Sequence, residues 1–279
     1  MNSNSISSSI VIYKSSRKDL QTVIECANQS IIDKLYIIDN SPTDELKEFV
    51  LSLSDKIEYI FGHGNIGYGA GHNIAIRKSI ELDSKYHVVI NPDIQFGGEI
   101  IEVINDYMNQ HVENGLLMPK VLYPNGDLQY LCKLIATPFD LIGRRFFPLK
   151  KYVEKRNNKY ELRFTDYNQI INVPSLSGCF MYIRTDILKQ IEGFDERFFM
   201  YCEDFDLCRR IGKLSKTIFF PKVSITHNYE KGSYRNNKLL KYHIQSAIKY
   251  FNKWGWFFDK ERKKINKQTL IDLGYKNSK

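Results

Sequence analysis

Two acidic segments carry the chemistry that this chain could perform. In Val88-Val89-Ile90-Asn91-Pro92-Asp93-Ile94 an apolar run enters a proline turn that presents one carboxylate, Asp93. The carboxyl end of a strand in an open α/β sheet is where ligands bind. Much later, Tyr201-Cys202-Glu203-Asp204-Phe205-Asp206-Leu207 places Glu203 and Asp204 at the start of a helical pattern, ahead of Arg209 and Arg210. One carboxylate to hold a metal-bound leaving group and another to accept a proton are the two parts that sugar transfer from a nucleotide diphosphate requires. A helix start lowers a carboxylate's basicity through the dipole, so burial against Phe199, Tyr201 or Phe205 must offset it for either acid to act as a base. The bland alternative makes both acids helix-capping charges paired with Arg209 or Arg210.

Two further segments could hold a ligand. Asp39 ends the apolar run Leu35-Tyr36-Ile37-Ile38, which puts its carboxylate at the ligand-binding edge of the sheet; the same residue would also serve as a turn or cap for Ser41-Pro42. Gly67, Gly69 and Gly71 in the loop Asn65 to Asn73 let backbone approach a ligand closely before a helix begins. The loop is not a dinucleotide fingerprint, because it follows the third strand rather than the first and has no acidic partner downstream. The polar stretch Lys231, Gly232, Ser233, Tyr234, Arg235 reads as a cover whose cations could neutralise a diphosphate, or as a solvated loop.

The elements that must position these residues follow an alternating pattern. Strands are expected at Ile10 to Tyr13, Leu35 to Asp39, Ile57 to Phe61 and Tyr86 to Ile90, with helices from about Asp19 to Ser30, from about Pro42, and through Ala75 and Ile80. Such alternation implies a parallel sheet. Beyond Ile90 the regularity breaks. Asn125-Gly126 predicts a hairpin turn within Tyr123 to Asp127, Ser177 to Ile183 reads as a buried strand, and short helices are expected at Thr185 to Ile191 and Asp204 to Ile211. The region from Pro119 to Tyr160 is where substrate specificity is expected.

At 279 residues the chain is long enough for one catalytic α/β domain with a substantial core, and no linker divides it. The net charge of +8 suits phosphate-bearing ligands, nucleic acid or an anionic membrane. Its distribution narrows this: Lys238, Lys241, Lys249, Lys253, Lys260 and Arg262 to Lys264 are interleaved with Leu240, Ile244, Ile248, Phe251, Trp254, Phe257 and Phe258. That is the pattern of a basic amphipathic helix, either an interfacial membrane anchor or a terminal helix packed on the domain. Five cysteines, odd in number and without Cys-x-x-Cys spacing, indicate neither a disulfide framework nor a zinc site, and so a reducing cytoplasm. Met1 to Ser9 is polar and serine-rich with no apolar signal core, and no run approaches a membrane span.

Ile38-Asp39-Asn40-Ser41, Asn65 to Asn73, Asn91-Pro92-Asp93, Pro119 to Gln129, Gly193-Phe194-Asp195-Glu196, Glu203 to Leu207 and His227 together resemble bacterial glycosyltransferase family 2, and within it the rhamnosyltransferase-like enzymes that build O-antigen and capsule units on a lipid carrier. The resemblance covers nearly the whole chain. It implies the GT-A fold, with a mostly parallel central sheet flanked by helices: a donor-binding half over about 1–118, an acceptor-binding half over about 119–235, and a basic helical tail over 236–279. It also implies the roles. Asp39 reads uracil or thymine, and Asn65, Gly71, Asn73, Asn91, Lys231 and Arg235 hold the donor. Asp93 and His227 bind Mg²⁺ or Mn²⁺, Asp204 is the base, and Glu203 supports it. Asn91 stands where many such enzymes carry the first acid of Asp-x-Asp, which leaves one carboxylate for the cation. The expected donor is a dTDP- or UDP-sugar, best dTDP-rhamnose. The expected acceptor is a saccharide on a polyprenyl diphosphate, met at the inner face of the cytoplasmic membrane from the side.

Two rivals make different predictions. A sugar-1-phosphate nucleotidylyltransferase would carry a glycine-rich first loop, whereas Tyr13-Lys14-Ser15-Ser16-Arg17 has no glycine. A nucleic-acid-binding protein would explain the charge and the aromatics but not two acidic motifs at strand and helix ends, so no nucleic-acid partner is expected.

Overall fold

The computed structural model describes residues 5–228 and 236–276. Its first half is a run of strand–helix units: β1 (Ile6–Ile12), α1 (Arg17–Asn28), β2 (Lys34–Asp39), α2 (Lys47–Leu51), β3 (Ile57–Ile60), α3 (Tyr68–Glu81) and β4 (Tyr86–Ile90). These strands pair in parallel in the order β3-β2-β1-β4. The chain order therefore reverses beside β1, and a crevice opens beyond the carboxyl ends of β1, β2 and β4. Asp39 and Asn91-Pro92-Asp93 stand at those ends.

Two expected boundaries move. β1 begins at Ile6 rather than Ile10, so Ser7, Ser8 and Ser9 lie in a fully buried central strand. Partners make this affordable: Ser9 Oγ is 2.7 Å from His72 Nδ1 and 2.8 Å from His87 Nε2, while Ser7 Oγ lies 2.9 Å from His87 Nδ1 and 2.7 Å from Ser79 Oγ. The hydroxyls of Ser7 and Ser9 and the imidazoles thus pair with one another, while Ser8 Oγ and His72 Nε2 have no partner among the described residues. The helix expected from about Pro42 begins only at Lys47, after a turn through Ser41, Pro42 and Thr43.

The sheet does not stop at β4. After β5 (Ile94–Gln95) and α4 (Glu99–Gln110) come β6 (Asn114–Leu122), a π-helical turn Phe139–Gly143 running into α5 (Arg144–Phe146), α6 (Lys150–Tyr160), β7 (Ile171–Asn172), β8 (Phe180–Arg184), α7 (Thr185–Ile191), α8 (Glu203–Ile211) and β9 (Lys216–His227). β8 inserts antiparallel between β4 and β6, and β9 runs parallel to β6. Among the described residues the nine strands thus form one mixed sheet in which β5 and β7 each pair antiparallel with β9. The expected turn is present: Tyr123 N–H donates to Asp127 O at 2.7 Å, Gly126 N–H to Tyr123 O at 2.9 Å, and Leu122 bridges Leu128.

The C-terminal segment forms α9 (Asn237–Trp254) and α10 (Lys260–Asp272). α9 buries Ser246, Ala247, Tyr250 and Phe251. The link between the helices is pinned by Asp259, whose carboxylate accepts from Arg209 Nη1 and Nη2 at 2.7 and 2.9 Å with both side chains nearly sealed from solvent. No helix among the described residues is long and apolar enough to cross a membrane.

Candidate active site

The two acidic motifs meet in one cleft of about 390 Å³, lined by Asn91 from the end of β4, His227 from the end of β9 and Glu203 and Asp204 from α8. What turns the acids inward is strained backbone: Tyr201 and Cys202 adopt left-handed conformations at φ 70 and 66°, each an unfavourable choice for a non-glycine residue. Asp204 then accepts N–H bonds from Phe205 at 2.8 Å and, across the cleft, from Gly178 at 3.2 Å. Glu203 is buried, and its Oε2 has no hydrogen-bond partner.

Burial raises the pKa of both carboxyls. For Glu203 the neighbouring Asp204 charge adds to the rise; for Asp204, Lys133 and the two N–H donors moderate it. The offset to the helix dipole that a base at this position requires is therefore present. The arginine pairing of the bland alternative is absent, although Asp204 does accept a first-turn N–H from Phe205. Arg209 is committed to Asp259 and to Glu261 at 2.8 Å, and Arg210 to Asp206 at 2.7 Å, so neither arginine pairs with Glu203 or Asp204.

Asp93 and His227 come together through the pairing of β5 with β9. His227 Nε2 lies 3.4 Å from Asp93 Oδ1, and Asn228 N–H donates to Asp93 O at 3.0 Å. Gln129 orients the ring: its amide nitrogen donates to His227 O at 2.8 Å while its oxygen faces Nδ1 at 3.1 Å, leaving Nε2 toward the carboxylate. Burial works against charge on His227, but Cys179 and Asp93 outweigh it and raise the pKa to about 10. An imidazole nitrogen and a carboxylate oxygen at this separation can share one divalent cation at metal–ligand distances of about 2.1 Å. Among the described residues no group of three or more His, Cys, Asp or Glu could hold a metal, so such a cation would complete its shell with ligand and water oxygens.

Tyr68 and Met200 line both this cleft and a second cavity of about 270 Å³ at the carboxyl end of β1, which Asn40 and Asn65 also border. The Tyr68 hydroxyl lies 2.9 Å from Asn91 Oδ1 and 2.6 Å from Gly178 O, tying the β4 turn to the strand entering β8. Asp39 is fully buried, with Oδ1 accepting from Ser41 N–H at 2.7 Å and Oδ2 from the Tyr59 hydroxyl.

Of the expected donor and metal residues, Asp39, Asp93, Gly71 and Asn73 line neither cavity. A Cβ on Gly71 would lie 2.9 Å from Val11, so this glycine seats α3 on β1. Asn73 spends its amide on Phe194 N–H, Phe194 O and Glu196, anchoring the 193–196 loop. Lys231 and Arg235 lie outside the described residues, as does the rest of the expected cover. Sequence reasoning missed Tyr68, Gln129, Lys133, Arg144 and Arg145 as cleft residues. Only the assignment of specificity to Pro119–Tyr160 pointed toward the last four.

The profile of Glycosyl transferase family 2 matches residues 8–192, more than half of the chain. N-acetylglucosaminyl-diphospho-decaprenol L-rhamnosyltransferase of Mycobacterium tuberculosis is 26% identical over 211 residues, covering 69% of this chain and 65% of that protein. Rhamnosyltransferase WbbL of Escherichia coli is 24% identical over 228 residues, covering 78% and 81%. The low-salt glycan biosynthesis hexosyltransferase Agl10 of Haloferax volcanii is 29% identical over 202 residues, covering 72% and 59%. The chain thus spans less than two thirds of the length of the mycobacterial and archaeal relatives.

Among solved structures, GalNAc-T7 with UDP, GalNAc and Mn²⁺ superposes with a TM-score of 0.63 at 13% identity, over 98% of this chain and 55% of that one. S. aureus TarS 1-349 in complex with UDP gives 0.57 at 12% identity, over 95% and 70%. Likeness at such identities establishes a shared GT-A-type fold. The family profile spans both Asp39 and the Asn91-Pro92-Asp93 turn, and the chain belongs to glycosyltransferase family 2.

Proposed function

We propose that the protein transfers a hexose, L-rhamnose from dTDP-rhamnose in the first instance, with inversion, to a saccharide carried on a polyprenyl diphosphate. The observation that carries this reading is that His227, 3.4 Å from Asp93 Oδ1, lines one cleft with Asn91, Glu203 and Asp204 at the β4 end of the sheet. The rhamnosyltransferase names of two relatives support the sugar, and the mycobacterial name supports a lipid diphosphate acceptor.

In this mechanism the acceptor hydroxyl oxygen attacks the anomeric carbon from the face opposite the diphosphate. Its proton passes to Asp204, and the bond from the anomeric carbon to the phosphate oxygen breaks, releasing the nucleoside diphosphate. Glu203, whose pKa burial and the Asp204 charge raise, stands beside Asp204 as its supporting partner. A bound Mg²⁺ or Mn²⁺ would neutralise charge that gathers on the leaving diphosphate. Asp93 and His227 would hold it, the cation taking the place of the proton on His227 Nε2, with Gln129 fixing the imidazole. Asn91, held by Tyr68, borders the leaving group, and Asn65 borders the nucleoside in the second cavity. Asp39 reads the base once the Tyr59 hydroxyl turns aside, while Gly71 and Asn73 serve the donor through packing. Residues 1–118 form the donor half, and 119–235 the acceptor half. The tail over 236–279 brings the enzyme to the cytoplasmic membrane surface with Phe257 and Phe258 exposed.

Thermal shift and calorimetry with dTDP-rhamnose, UDP-sugars and GDP-sugars, each with and without Mn²⁺, test this reading. The expected result is stabilisation by a dTDP- or UDP-sugar, enhanced by Mn²⁺, with the enhancement lost in Asp93→Asn. Indifference to every nucleotide sugar would overturn it.

A further inference from the structure

Three cations on the far side of the cleft from the β4 turn are used by no step above. Lys133, Arg144 and Arg145 line the same cavity as Asp204. Lys133 itself bridges Ser175, and its ammonium lies 5.4 Å from the centre of the Phe205 ring. The two arginines open α5. His243 of α9 lines the same cavity, and its pKa is lowered to about 4 by burial first and then by Arg144, Arg145 and Lys133.

Among the described residues, Glu161, Glu203 and Asp204 stand beside this cluster as acids. Glu161 pairs with Arg144 at 3.0 Å but is also bound by Arg163. Glu203 has its pKa raised, which favours the uncharged carboxyl, and Asp204 remains as the proposed base. Burial and then Arg144 lower the pKa of Lys133, against Glu161 and Asp204, which raise it. An excess of fixed positive charge in a partly dry cleft is the recognition element for phosphate groups.

We infer that Lys133, Arg144 and Arg145 form a subsite for the diphosphate of the acceptor, which seats its first sugar between these cations and Asp204. The inference rests on the reading of the cleft as a glycosyl-transfer site and names what holds the acceptor there. The chain beyond Arg145 favours a lipid diphosphate. Phe147, Leu149 and Tyr152 follow within two turns and are 38%, 62% and 53% exposed, and the rings of Phe139, Phe147 and Tyr152 cluster at centroid separations of 5.2 to 5.7 Å. A cationic pocket beside an exposed apolar patch matches a diphosphate head with a hydrocarbon tail.

The test is calorimetric titration of the full chain, saturated with UDP or dTDP and Mn²⁺ so that the donor site is filled, with farnesyl diphosphate, farnesyl monophosphate and inorganic pyrophosphate. Farnesyl diphosphate is expected to bind, with at least tenfold weaker binding in Arg145→Gln and in Lys133→Gln, variants checked for an unchanged thermal melt and nucleotide affinity. Pyrophosphate binding that both variants weaken equally, with no gain from the farnesyl chain, supports the anion subsite and assigns the tail no contact. Absence of diphosphate binding to nucleotide-saturated protein, or binding that neither variant weakens, overturns this inference alone. Failure of UDP and dTDP to bind at all overturns the glycosyl-transfer reading, and the inference with it.

Discussion

At the scale of single residues, the decisive contrast is between carboxylates of one type in different surroundings. Asp206 is bound by Arg210, Lys253 and the Trp254 indole N–H, whereas Asp204, two residues earlier, faces the cleft and accepts from the backbone N–H groups of Gly178 and Phe205. Asp204→Asn is expected to lower kcat by about 10²- to 10⁴-fold, the usual worth of a positioned general base, while leaving nucleotide binding in place. Turnover that survives this substitution would transfer the role to Glu203 or to another group. The pH profile carries a second mark. The base works deprotonated, and burial raises its pKa, so kcat/KM falls as pH drops through a value above the roughly 3.9 of a free aspartate. Because Glu203 and Asp204 interact, the acid limb reports the pair rather than either residue.

At the scale of elements, the glycine-rich loop acts less as a ligand cradle than as a joint. Gly67 has φ 96°, and a Cβ there would lie 2.3 Å from the Phe199 carbonyl, which accepts a 2.9 Å bond from Tyr68 N–H. That contact ties the start of α3 to the strained segment delivering Glu203 and Asp204. Gly67→Ala should therefore push residues 199–204 outward. We expect a loss of stability of about 1–3 kcal/mol from the backbone conformation alone and a fall in kcat larger than the change in nucleotide affinity. Equal losses in both would make the loop a donor contact instead. The sequence revealed that this loop needs glycines, but not which atoms approach them, since Phe199 lies far along the chain.

The whole molecule depends on how its last helices are fastened. Arg209 on α8 and Asp259 between α9 and α10 form a buried two-pronged pair, and Arg209 also lies over the Trp254 ring at 4.2 Å. Breaking a buried pair by removing one charge costs about 3–5 kcal/mol, because the remaining ion stays without its partner. Asp259→Asn should thus lower the melting temperature at neutral pH. Burial alone would raise the Asp259 pKa, yet the bonds from Arg209 and Arg262 N–H outweigh it and hold it below the usual carboxylate range. A carboxyl with a depressed folded pKa adds stability above its unfolded value and loses that contribution as pH falls through the folded one. The gap in stability between wild type and Asp259→Asn should accordingly narrow from about pH 4 downward. A gap that stays constant to pH 2 would show that the pair contributes through packing.

Local patterns carried most of the architecture. Apolar runs, punctuating glycines and prolines, and the acidic motifs located β2, β3, β4, α7 and the start of α8, because strand and helix periodicities are written in neighbouring residues. The buried serines of β1 escaped that reading, since their partners His72 and His87 lie in α3 and β4 and polar composition alone resembles a solvated end. Only the folded chain could bring His227 beside Asp93, free Glu203 and Asp204 from Arg209 and Arg210, and gather Lys133, Arg144 and Arg145 around the same cleft. Those are contacts between segments remote in sequence, and no periodicity encodes the distance between two strands' ends.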